Sequence, residues 1–284
     1  MNFEYFAQTD PGLIRDNNED SVVVDDENQL VVLADGMGGY NAGEVASAMA
    51  TSFVKTELGR WLQEGGNEAS ARELKRAMEI CIDNANRSIF NAANANPAYA
   101  GMGTTLVMGV FVGTRVMVGH VGDSRCYRLR GTTLQQLSRD HSLLQEQIDA
   151  GLISEEQAQF ATHKNLVTRA LGVEDTVLLE VNEFRVEDGD IYLFCSDGLS
   201  DMVADQGLAA ILQAEGSLEG KASVLVDAAN HNGGRDNISD ILAHARAKPV
   251  RRRLPPRMLG QYQCLRIGSS GSRGVGHAEN DRFY

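Results

Sequence analysis

Apolar positions spaced like the turns of an α-helix dominate the first third of the chain after residue 40. Val45, Met49 and Phe53 recur every four residues, which is typical of one face of a helix. A second, longer stretch repeats the pattern at Leu74, Met78, Cys81, Ile82, Ala85 and Ile89. We therefore predict two amphipathic helices whose apolar faces pack on a sheet.

From Thr104 onward the pattern changes to β-rich runs. TTLVMGVFV and RVMVGHVG are separated by Gly113 and Thr114, a two-residue loop suited to a type II′ hairpin. SRCYRL and TLQQL predict further strands, and a helical interlude follows in SLLQEQIDAG and SEEQAQF. VLLEVNEF and DIYLFCSD then predict two more strands, followed by two helices near 205–231. Grouped strands joined by tight hairpins favour an antiparallel α+β layered domain over a parallel βαβ one.

The composition indicates one large globular domain followed by a tail. The chain has 284 residues, of which 43% are hydrophobic and 23% charged. Residues 1–245 carry the periodic patterns, whereas 246–284 lose them and are rich in Pro, Gly, Ser and Arg. We predict a domain large enough for a catalytic domain at 1–245 and a basic, flexible tail at 246–284. The tail is either solvated or attracted to acidic partners or anionic lipids.

Charge is distributed very unevenly between these two parts. The tail holds nine basic and two acidic residues, a net charge of +7, while the whole chain carries −13. The first 245 residues therefore carry −20, and so acidic a body argues against nucleic acid as a partner. No apolar run is long enough to cross a membrane, and the first ten residues do not resemble a signal peptide. We expect a cytoplasmic protein without a transmembrane segment.

Carboxylates recur where apolar runs end in turns, often beside glycine. Asp35 and Gly36 follow LVVLA, and Asp197 follows IYLFCS. Asp123, Asp236 and the Glu19–Asp20 pair occupy comparable positions. Acids gathered at one rim of a sheet repel each other unless a divalent cation neutralises them. Oxygen ligands without nearby Cys or His suit Mg²⁺ or Mn²⁺ better than zinc.

A single Asp-Gly pair is usually an ordinary turn, so the pattern matters only jointly. Taken together, the motifs resemble those of the metal-dependent protein phosphatases, the PPM or type 2C family, and are most similar to its compact bacterial members. The matching segments occur in the family order and cover roughly residues 3–243. They are RDNNED at 15–20, ADGMGG at 34–39, GMGTTL at 101–106, GHVGDSRCYRL at 119–129, LSRDHS at 137–142, LVTRALG at 166–172, CSDGLSD at 195–201 and GGRDNIS at 233–239.

The resemblance implies a four-layer α-β-β-α sandwich, in which two mostly antiparallel sheets are flanked by helices. It also implies a centre of two Mn²⁺ or Mg²⁺ ions. Asp35 would bridge the ions and the Gly36 carbonyl would bind one of them, while Asp197 and Asp236 would complete the shell of the other. Glu19 and Asp20 would lie beside the second ion, and Asp123 with Asp197 would hold a third, weakly bound ion.

The implied activity is hydrolysis of phosphoserine and phosphothreonine in proteins. A hydroxide bridging the two ions would attack phosphorus directly. Arg15 corresponds to the family arginine that forks onto the phosphate oxygens, so the implied catalytic residues are Asp35 and Arg15. The implied partners are phosphorylated proteins, including a Ser/Thr kinase and its targets, and we expect a monomer.

Two positions depart from the family pattern, and one segment varies within it. Met37 stands where many eukaryotic members have a histidine, and methionine cannot donate a proton to the leaving group. Asp240 interrupts the expected apolar strand, so it either faces solvent on an edge strand or cuts the strand short. Residues 154–165 correspond to the variable flap of bacterial members, a source of substrate choice.

Two further hypotheses compete with the phosphatase. One is a catalytically silent signalling module that uses the same fold to bind a partner, although every metal-binding aspartate is retained here. The other is a calcium buffer, which lacks support because no DxDxDG loop occurs and the acids span more than 200 positions.

Overall fold

The structure, a computed structural model, describes residues 1–39, 42–158 and 166–247. The strands are β1 Asn2–Asp10, β2 Asp20–Asp25, β3 Leu30–Met37, β4 Gly103–Thr104, β5 Leu106–Val112, β6 Arg115–Val121, β7 Arg125–Arg130, β8 Thr133–Gln136, β9 Glu180–Arg185, β10 Ile191–Cys195 and β11 Ile238–Arg246. The helices are α1 Ala42–Gln63, α2 Ala71–Ala95, α3 Leu143–Asp149, α4 Glu155–Ala158, α5 Asp197–Ser200, α6 Asp205–Gln213 and α7 Leu218–His231.

These strands form two antiparallel sheets. The first has the order β1-β11-β10-β7-β8, and the second has the order β2-β3-β5-β6-β9 with β4 paired to β3. Three apolar cores separate four layers: α1 and α2 cover the second sheet, α6 and α7 cover the first, and the two sheets pack face to face. The predicted α-β-β-α sandwich with antiparallel sheets is confirmed.

The helix α2 follows its sequence pattern closely. Ser70 and Glu73 form a reciprocal capping box at its start, which satisfies backbone donors that have no partner inside the helix. All six apolar positions of the predicted face, from Leu74 to Ile89, are buried against the second sheet. The two-residue loop of Gly113 and Thr114 likewise joins β5 to β6, and Gly113 adopts a φ of 63°.

The helix α1 packs through a different stripe from the one predicted. Val45, Met49 and Phe53 are only partly buried and lie at the flank of the core. The deepest positions are the small residues next to them, among which Ala46 and Ala50 are fully buried. Small side chains let the helix approach the sheet closely. The prediction used only the large apolar residues, so it placed the buried face one residue before the face that is actually buried.

An aromatic cluster fills one end of the space between the sheets. Phe111 lies near the end of β5 and contacts Phe3 at a ring-centroid distance of 4.5 Å. Its ring meets Tyr192 edge-on at 5.4 Å. Offset and edge-to-face aromatic pairs stabilise beyond the area they bury, so this end of the sandwich is firmly closed. The opposite end carries the candidate site.

Both expectations for Asp240 were wrong. The residue is fully buried, and its strand is central: it pairs with β1 through to Arg246 on one side and with β10 through to His244 on the other. The neighbouring strand supplies Gln8, whose Nε2 donates to Asp240 Oδ2 at 3.1 Å. Burial raises the pKa of Asp240 to about 7, so the carboxyl keeps its proton below neutral pH. A carboxylate within an apolar strand therefore did not indicate that this position is exposed to solvent.

This buried carboxyl predicts a pH dependence of stability. The pKa of Asp240 is about 7 in the folded state, against about 3.9 for an unperturbed Asp. The folded state therefore binds the extra proton between these values, and the stability it contributes is lost as pH rises toward 7. Relative to Asp240→Asn, we expect the wild-type free energy of unfolding to fall by about 2–4 kcal/mol between pH 4 and pH 8.

Urea unfolding of both proteins in EDTA at pH 4 and pH 8 measures the difference directly. The metal-site acids titrate in both proteins, so their contribution cancels in the comparison. Parallel pH profiles for the wild type and Asp240→Asn would contradict an elevated pKa at Asp240.

The described helices include none that is long and apolar enough to cross a bilayer. The strand β11 ends at Arg246, one residue beyond the predicted domain end at 245. The rest of the predicted tail, 248–284, lies outside the described residues, as does most of the predicted flap segment, 159–165.

Candidate metal centre and phosphate site

The second sheet brings four of the predicted site residues to one end. Asp20 opens β2 and lies directly opposite Asp35 near the end of β3 in the antiparallel register. Gly36 follows Asp35, and the Gly36 N–H donates to the Glu19 carbonyl at 3.1 Å. In an antiparallel pair the start of one strand adjoins the end of the next, so these residues meet because of the strand order.

The first sheet contributes its acids at the same end. Asp197 is the first residue of α5, immediately after β10, and Asp236 lies just before β11. The antiparallel pairing of β10 with β11 brings the end of one strand beside the start of the other. Asp123 lies in the turn between β6 and β7, where the chain passes from one sheet to the other. The predicted acids therefore come from both sheets.

The pKa values of these acids indicate that their side chains lie close together. Burial raises the pKa of Asp35 well above its usual range, and repulsion from Asp20, Asp197, Asp123 and Asp236 raises it further. The pKa of Asp197 is raised in the same way, first by burial and then by other members of this set. Side chains more than 200 positions apart in sequence thus act on one another at close range.

Three further acids, Asp20, Asp123 and Glu19, have pKa values shifted in the same direction. Burial is the main cause that raises the pKa of Asp20 to about 7 and the pKa of Asp123 to about 6. The pKa of Glu19 is also raised, mainly by burial. Without a counter-charge, a buried cluster of this kind holds protons near neutral pH.

The residues present fit a divalent cation. Asp20 is buried, and its Oδ1 has no hydrogen-bond partner among the described residues, while its Oδ2 accepts a hydrogen bond from Ser196 Oγ at 2.9 Å. The set supplies carboxylate oxygens, which are the ligands that Mg²⁺ and Mn²⁺ prefer. Cations would relieve both the repulsion and the unsatisfied oxygen, so the donor set and its environment agree.

Glycines near the cluster are required for close packing. A Cβ at Gly36 would lie 2.1 Å from the Gly43 carbonyl oxygen, at the start of α1. A Cβ at Gly43 would in turn lie 2.9 Å from Glu19 Oε2. On the other sheet, a Cβ at Gly198 would lie 2.0 Å from the Asn237 carbonyl oxygen. The glycines that follow Asp35 and Asp197 therefore admit a neighbouring backbone, a reason that the sequence alone did not reveal.

Arg15 stands at the rim of the acidic cluster. Its guanidinium donates to Asp236 Oδ2 at 2.6 Å, and the Arg15 side chain is half exposed. The hydrogen bond to Asp236 raises the pKa of Arg15, and Glu19 and Asp35 add to that effect. A cation beside carboxylates and open to solvent is available to an anionic ligand that enters the site.

Sequence reasoning missed Asn237, which holds the loop that carries Arg15. Asn237 is buried, and its Oδ1 accepts the Glu19 N–H at 2.8 Å. Its Nδ2 donates to the carbonyls of Pro11 and Asn17. One amide thus fixes the segment 11–19 at three points. Its position directly after Asp236 in the motif was the available signal.

Hydroxyl groups behind the acids were missed as well. Thr104 Oγ1 donates to the Asp35 carbonyl at 2.8 Å, and the Thr105 N–H donates to the same oxygen. Ser196 Oγ, which donates to Asp20, also accepts the Ser239 N–H. Such outer hydrogen bonds orient ligating carboxylates. The signal for Ser196 was its place beside Asp197, and the signal for Thr104 and Thr105 was the GMGTTL motif itself.

A second group of side chains that could bind a metal lies outside the acidic cluster. Among the described residues, the ligand atoms of His120, His141 and Glu180 lie within 4.8 Å of one another. His141 Nδ1 accepts the Gly122 N–H at 3.2 Å, so the neutral ring carries its proton on Nε2, which faces Glu180. That nitrogen then has no lone pair for a cation. Burial lowers the pKa of both histidines. These contacts fix the turn before Asp123.

Comparison with known proteins identifies the family. The family described as "Protein phosphatase 2C" matches residues 15–242. The chain belongs to the protein phosphatase 2C family. The prediction from the motifs is confirmed, and the chain is a phosphoprotein phosphatase.

Individual members of the protein phosphatase 2C family are similar along nearly the whole domain. The chain is 40% identical to the serine/threonine phosphatase stp of Listeria welshimeri over 238 residues, which cover 83% of this chain and 93% of that protein. The Mycobacterium tuberculosis phosphatase PstP/Ppp superposes with a TM-score of 0.77 at 35% identity, covering 87% of this chain and 100% of that one. A PstP catalytic domain in complex with two manganese ions gives a TM-score of 0.75 at 34% identity, covering 86% and 99%.

Proposed function

We propose that this phosphatase hydrolyses phosphoserine and phosphothreonine in proteins at a centre of two Mn²⁺ or Mg²⁺ ions. The observation that carries the proposal is the convergence of Asp35, Asp197, Asp236 and Asp20 at one end of the sandwich, where repulsion from neighbouring acids adds to burial in raising the pKa values of Asp20, Asp35 and Asp197. Family membership and the two manganese ions in the PstP catalytic domain support the same conclusion.

We assign the ligands as the sequence resemblance implied. Asp35 would lie between the two ions, and the Gly36 carbonyl would bind one of them. Asp197 and Asp236 would complete the shell on the side of the first sheet, and Glu19 and Asp20 would serve the side of the second. Asp123, with Asp197, would hold a third, weakly bound ion. When bound, divalent ions supply charge neutralisation and lower the pKa of a water shared between them, which makes it a nucleophile.

The chain's own residues orient the substrate. Arg15 forms an ion pair with Asp236 at the rim of the cluster, and it would turn its guanidinium from Asp236 to the phosphate oxygens. Asn237 keeps the loop of Arg15 in register with the acids through three hydrogen bonds. Met37 follows Gly36 and cannot donate a proton, so the leaving alkoxide would take its proton from solvent.

Metal removal is the direct test. The full-length protein with Mn²⁺ should release phosphate from phosphothreonine and phosphoserine peptides, because the acidic cluster needs cations to act. An excess of EDTA should reduce turnover to the background level, and a return of Mn²⁺ should restore it. A phosphotyrosine peptide of the same sequence serves as the specificity control. Turnover that persists in EDTA would refute the metal-dependent mechanism.

The competing hypotheses receive no support. A silent module is expected to lose metal-binding acids, yet every predicted acid is present in the chain, and these acids act on one another's pKa values. A calcium buffer would not need Arg15 at the rim of the cluster. Titration of the protein with Mn²⁺ by calorimetry distinguishes a silent module that binds no metal from the enzyme.

The finer biological assignments are also proposals. We propose that the substrates include a Ser/Thr kinase and its targets, that the protein acts as a monomer, and that it works in the cytoplasm. The family supports phosphoproteins as the substrate class. Dephosphorylation of a purified autophosphorylated kinase, light scattering of the full chain and cell fractionation would test the three assignments in turn.

A further inference from the structure

A groove with a volume of about 710 Å³ opens beside the metal centre. One wall lies within the segment 167–178, shortly after the predicted flap, and the other includes Met37. Its apolar lining includes Val173, Val177 and Leu178, and the first and last of these are 53% and 69% exposed. Aliphatic side chains this exposed, together along one groove, are typical of a binding surface rather than of ordinary solvent-facing positions.

Hydrogen bonds hold the wall of the groove in place. On α2, fully buried Asn86 receives the Gly172 N–H at 2.7 Å and donates to the Glu174 carbonyl at 3.0 Å. Leu171 and Thr104 exchange both backbone hydrogen bonds, at 2.8 and 3.0 Å. These contacts hold the exposed wall in one conformation, so a ligand would lose little affinity to ordering it.

The same contacts connect the groove to the catalytic centre. Thr104, which pairs with Leu171 in the wall, donates through Oγ1 to the carbonyl of Asp35. Met37 lines the groove and lies two residues beyond Asp35 on β3, which is roughly 7 Å along an extended strand. A phosphorylated side chain placed at the metal centre therefore brings the next two or three residues of its own chain to the groove.

The chemistry of the groove defines which residues fit. Its charged members, Arg169 and Glu174, have opposite signs, so the groove offers no net charge to select for. Its largest contact surface is aliphatic. We propose that this groove binds the substrate segment that flanks the phosphorylated residue and selects an aliphatic side chain two or three positions away. The proposal rests on the proposed function and locates substrate choice in the described wall 167–178.

Peptide kinetics test the proposal. Three phosphothreonine peptides are compared: one with leucines two and three positions before the phosphothreonine, one with leucines after it, and one with aspartates at all these positions. For the full-length protein with Mn²⁺, we expect kcat/KM for at least one leucine peptide to exceed that for the aspartate peptide about tenfold, or about 1.4 kcal/mol. Val173→Asp and Leu178→Asp should each abolish this preference.

A small substrate separates the groove from the centre. p-Nitrophenyl phosphate has no flanking residues, so its turnover should stay within about twofold in both variants. Val224→Asp is the matched control, because Val224 is 49% exposed on α7 and does not line the groove. It should keep the leucine preference.

Several outcomes would overturn the proposal. They are a wild type without a leucine preference, groove variants that retain it, an equal loss in the Val224 control, and an equal loss of p-nitrophenyl phosphate turnover in both groove variants. Failure of the proposed function looks different, because then the wild type would hydrolyse neither the peptides nor p-nitrophenyl phosphate in Mn²⁺.

Discussion

Asp35→Asn should reduce Mn²⁺-dependent release of phosphate from a phosphothreonine peptide at least about 10³-fold. Loss of an outer partner of a metal ligand typically costs about 10–100-fold, and Asp35 is proposed to contact both ions itself. An amide has no charge to neutralise the cations and offers one oxygen in place of two. Four other carboxylates also act on Asp35, so it lies well inside the cluster.

Stability and metal binding distinguish this loss from unfolding. Asparagine removes one buried charge from a repelling group, so the metal-free variant should unfold at a urea concentration no lower than the wild type at pH 8. Its calorimetric titration with Mn²⁺ should be much weaker. Asp240→Asn, a change of the same chemistry at a buried position outside the cluster, should retain turnover. Mn²⁺-dependent activity of Asp35→Asn within about tenfold of the wild type would refute the assignment, since a lost bridging ligand costs more than an outer partner does.

Arg15→Ala should lower kcat/KM for phosphopeptides by about 10²–10³-fold, the usual cost of removing one positioned donor from a transition state. The guanidinium is half exposed and lies 2.6 Å from Asp236, one of these acids. Arg15→Lys should recover part of the activity, since lysine retains the charge but not the fork.

Metal affinity decides how Arg15 acts. If Arg15 binds the substrate phosphate, the calorimetric affinity for Mn²⁺ should change little in Arg15→Ala while the peptide kinetics collapse. If instead the affinity for Mn²⁺ falls in proportion to activity, Arg15 serves mainly to hold Asp236, and the phosphate-binding role is wrong.

Most of the site could be predicted because its residues lie in short sequence motifs. Each aspartate lies at a strand end, and antiparallel pairing brings such ends together within each sheet. The grouping of Asp35 with Asp197 and Asp236 across the two sheets came from the resemblance of the motifs to the family. The face of α2 was predictable as well, since large apolar side chains repeat at helical spacing.

The features that escaped prediction depend on contacts between distant segments. Asn237 is one polar residue among many until the loop 11–19 folds against it. Asp240 could be buried only because Gln8 lies opposite on a neighbouring strand. The small residues of α1 mark a close approach that no hydrophobicity pattern records. The groove likewise requires Asn86 to hold a segment more than 80 positions away.

The aromatic cluster of Phe3, Phe111 and Tyr192 packs the two sheets together at the end away from the acids. Asp35 belongs to one sheet, and Asp197 and Asp236 flank strands of the other. Bound cations would therefore join the two sheets at their open edge. Metal binding would then be coupled to the distance between the two sheets at this end. Loss of the ions would therefore loosen the packing of the sheets there before any strand separates from its sheet.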